Sequence, residues 1–397
     1  MKNDSSVLGY VMARDEWPLL GAAISHALEM GVDHVLVLDH ASKDGTAKGL
    51  LELQHSLGDR ISILKMSIPG YFQEAATRAV LSSEHSRSFD WIYVFDADEF
   101  LLIPSDTSLK KILSETPSEI VALRYQIDQW VSPVNINLDR LSDLELIIDK
   151  SIPEENLPLP GSQLNDRITR GTLNFFDVPF PSKLIIRSDY AQKLSAGAHH
   201  LLSHEKVSER TIPPNLLRVG HLPYPSMDRV RTKSSHGRAL IEAGFSPDHG
   251  WQSQMLAKME AQGELLSFWN LHSIPTAPSA ESGKRPNTEV DLSFSTALKK
   301  TLDNYSRNMR GAQSAKDQRN PEIHTITLDA AVESIQSALM ERDLAKVESE
   351  SVALEASKQR DRAVEEITAQ RDVALADRDR IQAEHVQDKR DGGNLED

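Results

Sequence analysis

Trp91-Ile92-Tyr93-Val94-Phe95-Asp96-Ala97-Asp98-Glu99-Phe100 is an apolar, β-branched and aromatic run that ends in three carboxylates. Such a run predicts a buried strand, and its acids then fall at the C-terminal end, where open α/β sheets place their ligands. Paired carboxylates at that edge suit a divalent ion, because hard cations prefer oxygen ligands. Asp-x-Asp alone is too short to carry the reading, since Asp377-Arg378-Asp379 repeats it in a polar, helix-forming segment. The surroundings have to decide.

Upstream, residues 8–12 predict a first strand, followed by Arg14-Asp15-Glu16 and a helix opening near Glu16 or Trp17, because Pro18 suits a first helical turn. Leu20, Ile24, Ala27 and Leu28 recur at helical spacing, and Gly31 stands where a C-terminal glycine belongs. Residues 35–38 predict a second strand that runs into Asp39-His40-Ala41-Ser42-Lys43-Asp44-Gly45-Thr46. A helix through Leu50, Leu53 and Leu57, a strand over 61–66 and a helix over 74–83 lead to the opening stretch. Short right-handed crossovers turn this β-α-β-α-β-α-β order into an α/β fold: a Rossmann-like, mostly parallel twisted sheet flanked by helices. The polar clusters at 14–16, 39–46 and 96–99 all fall on its C-terminal edge.

Beyond Phe100 the expectations are strands over 119–126 and 183–187, a proline-punctuated acidic insertion over 132–161, and a helix over 233–243 within a histidine-rich segment. Residues 256–269 are expected to close a globular domain spanning 1–275, with linker composition and an ambiguous helical segment over 276–328. Residues 329–390 read as a long polar helix: Arg-Asp pairs begin at Arg342, Arg360, Arg371 and Arg378, and the spacings of eleven and seven residues between the last three keep an apolar seam aligned on a supercoiled helix. That segment is expected either to oligomerise the chain as a coiled coil or to form a partly disordered tail, with 391–397 disordered.

Of the 397 residues 39% are hydrophobic, enough for a substantial core, and the formal charge of -15 argues against nucleic acid or an anionic membrane as a partner. There is no cysteine, which removes disulfides and thiolate metal sites. No run reaches the roughly 18–20 apolar residues of a transmembrane helix, and residues 1–6 are too polar for a signal core, so a cytoplasmic protein is the default expectation.

Taken together, Arg14-Asp15-Glu16, Gly31-Val32-Asp33-His34, residues 39–46 and the Asp-Ala-Asp-Glu-Phe cluster resemble the GT-A glycosyltransferases of the family 2-like, family 92-related group. Ser182-Lys183-Leu184-Ile185-Ile186-Arg187, Gly197-Ala198-His199 and His221-Leu222-Pro223-Tyr224 followed by Lys233 resemble that group's later blocks, so the likeness covers residues 7–238. Asp15 and His40 depart from it, standing where the group carries Asn. The resemblance implies a metal-dependent, hexosyltransferase-like enzyme that moves a sugar from a nucleotide-sugar donor to a glycan or other acceptor hydroxyl, as in bacterial surface-glycan synthesis. It implies nucleotide contacts at Glu16, Asp39, Asp96 and Lys183, and a Mn or Mg ion held by Asp96 and Asp98 with His199 or His221. Arg187 and Lys233 are further candidates for phosphate. An inverting transfer would also need a general base, and Asp166, with Arg167 beside it to hold it ionised, stands where the group's acidic block would be.

Each of these residues has a plainer role open to it. Asp39 can cap a turn, Glu16 can favour a helix N-terminus, and a histidine is commonly a hydrogen-bonded structural residue. Two rival functions remain. A sugar-phosphate nucleotidyltransferase would want a glycine-rich basic loop that residues 11–18 do not supply. A non-catalytic scaffold would act through its helical tail.

Overall fold

The four strands that the apolar runs specify are buried along almost their whole length. They are β1 (Val7–Ala13), β2 (His34–His40), β3 (Ile61–Met66) and β4 (Trp91–Val94). All pair in parallel in the order β4-β1-β2-β3, with Leu8 opposite both His34 and Ile92, and Leu38 opposite Leu64. The computed structural model describes residues 5–67, 73–155, 157, 161–202, 207–246, 250–276 and 283–314. The crossovers contain α1 (Leu19–Glu29), α2 (Thr46–Leu57), α3 (Gln73–Leu81) and the one-turn α4 (Glu84–Arg87). Gly31 follows the first of these at φ +108, a conformation that only glycine adopts cheaply.

The opening stretch is not one strand. β4 stops at Val94, residues 95–98 turn, and the chain restarts as β5 (Glu99–Leu102). The turn is closed by the Glu99 carboxylate, which accepts from the Asp96 amide at 3.2 Å, so the third acid is the buried anchor that positions the other two. There follow α5 (Leu109–Ser114), β6 (Ala122–Val131), β7 (Asp149–Ser151), α6 (Gly161–Thr169), β8 (Lys183–Arg187), β9 (Glu209–Thr211) and β10 (Arg218–His221). β8 lies antiparallel between β4 and β6, and β10 pairs antiparallel with β5, His221 facing Glu99. The result is a mixed α/β fold around a curled sheet, parallel on the β1–β4 side and flanked by helices.

A second apolar core lies under α6, α7 (Met227–Glu242), α8 (Trp251–Ala261) and α9 (Leu265–Leu271), built from residues such as Phe175, Tyr224, Val230, Leu256, Phe268 and Trp269. The stretch 256–269, expected to close the globular domain, spans the end of α8 and most of α9, with Gly263 at φ +77 between them. A Cβ on Gly237 would come within 1.8 Å of the Ser253 carbonyl oxygen, so the close approach of α7 to α8 requires glycine there.

Globular packing continues past 275. β11 (Thr288–Val290) joins the sheet edge beside β7, and α10 (Ser293–Ser314) buries Phe294, Leu298, Leu302 and Tyr305 in the sheet's core. Phe294 stacks on Trp130 at 5.2 Å and meets Phe100 edge-on at 5.5 Å; burying such a ring contributes roughly 1.5–3 kcal/mol. The chain divides into units Met1–Ile335 and Gln336–Asp397. The tail expected over 329–390 and the end at 391–397 lie outside the described residues. Among the described residues no helix is long and apolar enough to cross a membrane.

Candidate active site

The C-terminal ends of β1 and β4 open into a cleft of about 460 Å³, a size suited to a small-molecule ligand. Arg14 and Glu16 enter it from the loop after β1, and Asp96 and Asp98 from the turn after β4. Phe180, His199 and His221 come from the β8–β10 side, Lys233 and His236 from α7, and Trp251 from α8.

Asp98 is buried, with Oδ2 taking a hydrogen bond from Lys233 Nζ at 3.0 Å and Oδ1 3.6 Å from His221 Nε2. Burial raises its carboxyl, but Lys233 and then His221 outweigh that and bring it down to about 2. His221 is pushed down to about 4 by burial, against the pull of Asp98, and is therefore neutral near pH 7. Its Nδ1 has no hydrogen-bond partner among the described residues, and Phe180 packs 4.4 Å from its ring. Asp96 is more open and receives Lys183 Nζ at 2.7 Å; burial raises its carboxyl, and Lys183 brings it below its ordinary value. His199 donates from Nδ1 to the Ser182 carbonyl at 3.1 Å, which leaves the Nε2 lone pair free. Burial, then the Lys183 charge, lower its pKa.

Three expected residues are not presented to the cleft. Lys183 is 1% exposed, and its ammonium lies between Asp96 and Glu99 at 2.7 and 2.6 Å, so it is a structural counter-ion beneath the acids and is closed to phosphate. Asp39 is buried and accepts from the Ser42 amide at 3.1 Å, capping the turn after β2. Asp166 is exposed on α6, 3.8 Å from Arg170 rather than paired with Arg167, and does not line the cleft. Arg187 is also occupied, lying over the Trp91 ring at 4.4 Å and donating to the Ile120 carbonyl.

Sequence reasoning singled out Lys233 but missed the basic stripe to which it belongs. Arg229, Lys233 and His236 stand at i, i+4 and i+7 on one face of α7, a spacing visible in the sequence once the helix is known to start at Met227. Arg229 pairs with Glu16 and donates to the Asp15 carbonyl. His236 Nε2 meets Asp15 Oδ2 at 2.9 Å. Asp15, at φ +55, also accepts from the Lys43 and Asp44 amides at 2.5 and 3.1 Å, so it ties the β1 loop to the β2 turn and to α7. These bonds hold its carboxyl below its ordinary value despite burial. The departure at Asp15 thus has a structural use.

The expected divalent ion can be tested against these donors. Asp96, Asp98, His199 and His221 share the cleft and are of the right chemical type. No three of the described His, Asp or Glu side chains converge as a metal shell, however, and Lys183 and Lys233 already hold one oxygen of each aspartate. The arrangement does not fit a preformed divalent site.

No family profile matches the chain, and no curated protein matches it. Solved structures similar to it include a mycobacterial protein, at 19% identity over 32% of this chain and 43% of that one, with a TM-score of 0.24. A putative glucose-1-phosphate thymidylyltransferase from Bacillus anthracis, in complex with a sucrose, matches at 10% identity over 60% of this chain and 95% of that one, TM-score 0.30. S. aureus TarS matches at 15% identity over 65% of this chain and 43% of that one, TM-score 0.26. Likenesses of this strength carry no functional argument, and the reading that follows rests on the cleft.

Proposed function

We propose that the chain is a GT-A-like transferase that moves a sugar from a nucleotide-sugar donor to an acceptor hydroxyl. One observation supports this above the others: acids from the ends of β1 and β4 meet cations and neutral histidines in one cleft at the sheet edge where α/β folds bind nucleotides. The acceptor oxygen attacks the anomeric carbon, the bond to the diphosphate oxygen breaks, and its electron pair leaves with the nucleoside diphosphate. Lys233 and Arg14 face the charge that builds on that leaving group. Asp96, with one oxygen bound to Lys183, presents the other to donor hydroxyls. In an inverting transfer the His199 Nε2 lone pair accepts the acceptor's proton, in place of Asp166, which does not line the cleft.

The test is release of nucleoside diphosphate from UDP-, GDP- and dTDP-sugars, compared between wild type and His199→Gln. Turnover that falls about 10²–10⁴-fold in the variant with KM little changed supports the assignment. No release from any donor, with or without divalent ions, would sink the transferase reading and favour a scaffold. Release of pyrophosphate from a nucleoside triphosphate and a sugar phosphate would favour a nucleotidyltransferase.

A further inference from the structure

We infer that this cleft neutralises a nucleoside diphosphate with its own Lys233 and Arg14, and that the diphosphate binds without a divalent ion. The inference rests on the reading of the cleft as a nucleotide-sugar site and specifies how that site handles charge.

The first ground is the charge balance of the cleft and its floor. Glu16, Asp96, Asp98 and Glu99 supply four carboxylates, and Arg229, Lys183 and Lys233 are each bonded to one or two of them. Arg14 adds a further cation, its Nε without a hydrogen-bond partner among the described residues, and Asp15, 3.9 Å from that Nε and held by His236 and the Lys43 and Asp44 amides, adds a fifth carboxylate. Each of these carboxylates already has a cation or a hydrogen-bond donor beside it, whereas a metal site keeps carboxylate oxygens open to the ion.

The second ground is what each ligand would have to displace. A divalent ion reaching Asp98 meets the Lys233 ammonium already on Oδ2: at Oδ1 it would crowd a second cation onto the same carboxylate, and at Oδ2 it would leave that ammonium, its side chain only 16% exposed, with the Pro223 carbonyl. Stranding a largely buried charge is costly. A phosphate meets no such obstacle. An ammonium has three N–H donors, and Lys233 spends two of them, on Asp98 at 3.0 Å and on Pro223 at 2.7 Å, so the third can go to a phosphate oxygen with both existing bonds intact. Asp98 is then a positioning residue for Lys233 rather than a metal ligand.

The third ground is geometric. Lys233 and Arg14 line the same cleft from α7 and from the β1 loop, and Arg229 braces the two together by binding Glu16 and the Asp15 carbonyl. The anion-binding pair is therefore carried on two elements that are already tied.

The experiment is calorimetric titration of the full chain with UDP, GDP and dTDP, each in EDTA and again in MnCl2 or MgCl2. At least one nucleotide should bind in EDTA with a Kd within about threefold of its value with metal. Lys233→Met should weaken that metal-free binding at least about tenfold. Because this variant also removes a partner from buried Asp98, Arg14→Gln serves as the second variant; it should weaken binding in EDTA by a similar factor with an unchanged melting temperature. Binding that appears only with Mn or Mg overturns the inference while leaving the transferase reading intact. Binding that neither variant weakens overturns it as well. No binding under any condition overturns both.

Discussion

β1 and β4 bring Glu16, Asp96 and Asp98 to the cleft by topology, whereas α7 brings Lys233 and His236 by packing sideways on α8. In the first region the acids are where they are because apolar strands end there, and a parallel sheet aligns those ends. In the second, position depends on one glycine contact and on a core of Phe175, Tyr224, Val230 and Leu256, far apart in sequence. The difference teaches that acid placement here tolerates changes in side-chain packing, while cation placement should not. It also locates the most exposed energetic risk, the point where the sheet's acids depend on a charge.

That point is Lys183, and Lys183→Met is the largest expected effect. Methionine fills similar space but leaves Glu99, fully buried, without its ion partner. Removing one member of a buried pair costs about 3–5 kcal/mol, measurable as the shift in urea unfolding at pH 7.5. Lys233→Met should cost less, because Asp98 borders the open cleft and keeps His221 beside it. If the two losses were equal, the distinction between a structural and a ligand-facing lysine would break.

The helical region has its own sensitive group. His272 is buried after α9, donating from Nδ1 to the Phe268 carbonyl at 2.7 Å while Nε2 accepts the Phe175 amide at 3.1 Å, so both bonds need the neutral ring. Burial pushes its pKa down to about 4, against the Phe268 bond. The unfolded chain takes up this proton near 6.5 and the folded chain only near 4, so the contribution is fully present above the unfolded value and is lost as pH falls through that window. The loss from pH 7.5 to pH 5 is on the order of 2 kcal/mol for this group, and His272→Gln should flatten the stability profile by that amount. Superimposable pH profiles for wild type and variant would show that the helical core does not depend on the neutral ring.

The sequence was legible where local pattern and tertiary role coincide. The parallel strands, Gly31 and the acids of residues 96–98 are all consequences of short-range patterning, and each stands where that patterning puts it. The strand break before Glu99 is not legible in the sequence, because a turn and a new strand begin inside what looks like one apolar run, and only the pairing of β5 with β10 reveals the division. Lys183 carries the residue type of a ligand yet is held as a counter-ion by Glu99, 84 residues away and out of reach of any local pattern, whereas the Asp39 cap, with its partner three residues on, was one of the roles the sequence left open. The α7 stripe was hidden for the opposite reason: its spacing was visible, but nothing local says which face of a polar helix meets a cleft.

Asp166 gives the smallest expected effect and the sharpest control on this comparison. It belongs to α6, whose apolar residues join the helical core, but its carboxylate is 74% exposed and its nearest described cation is Arg170, one turn on. An exposed i,i+4 pair contributes little to stability, and a carboxylate outside the cleft lining has no route to a reacting hydroxyl. Asp166→Asn should therefore leave the melting temperature, the nucleoside diphosphate affinity and the rate of transfer unchanged, in contrast to His199→Gln. A rate that fell while affinity held would mean that α6 reaches the acceptor, and the helical region would then supply the chemistry as well as the charge.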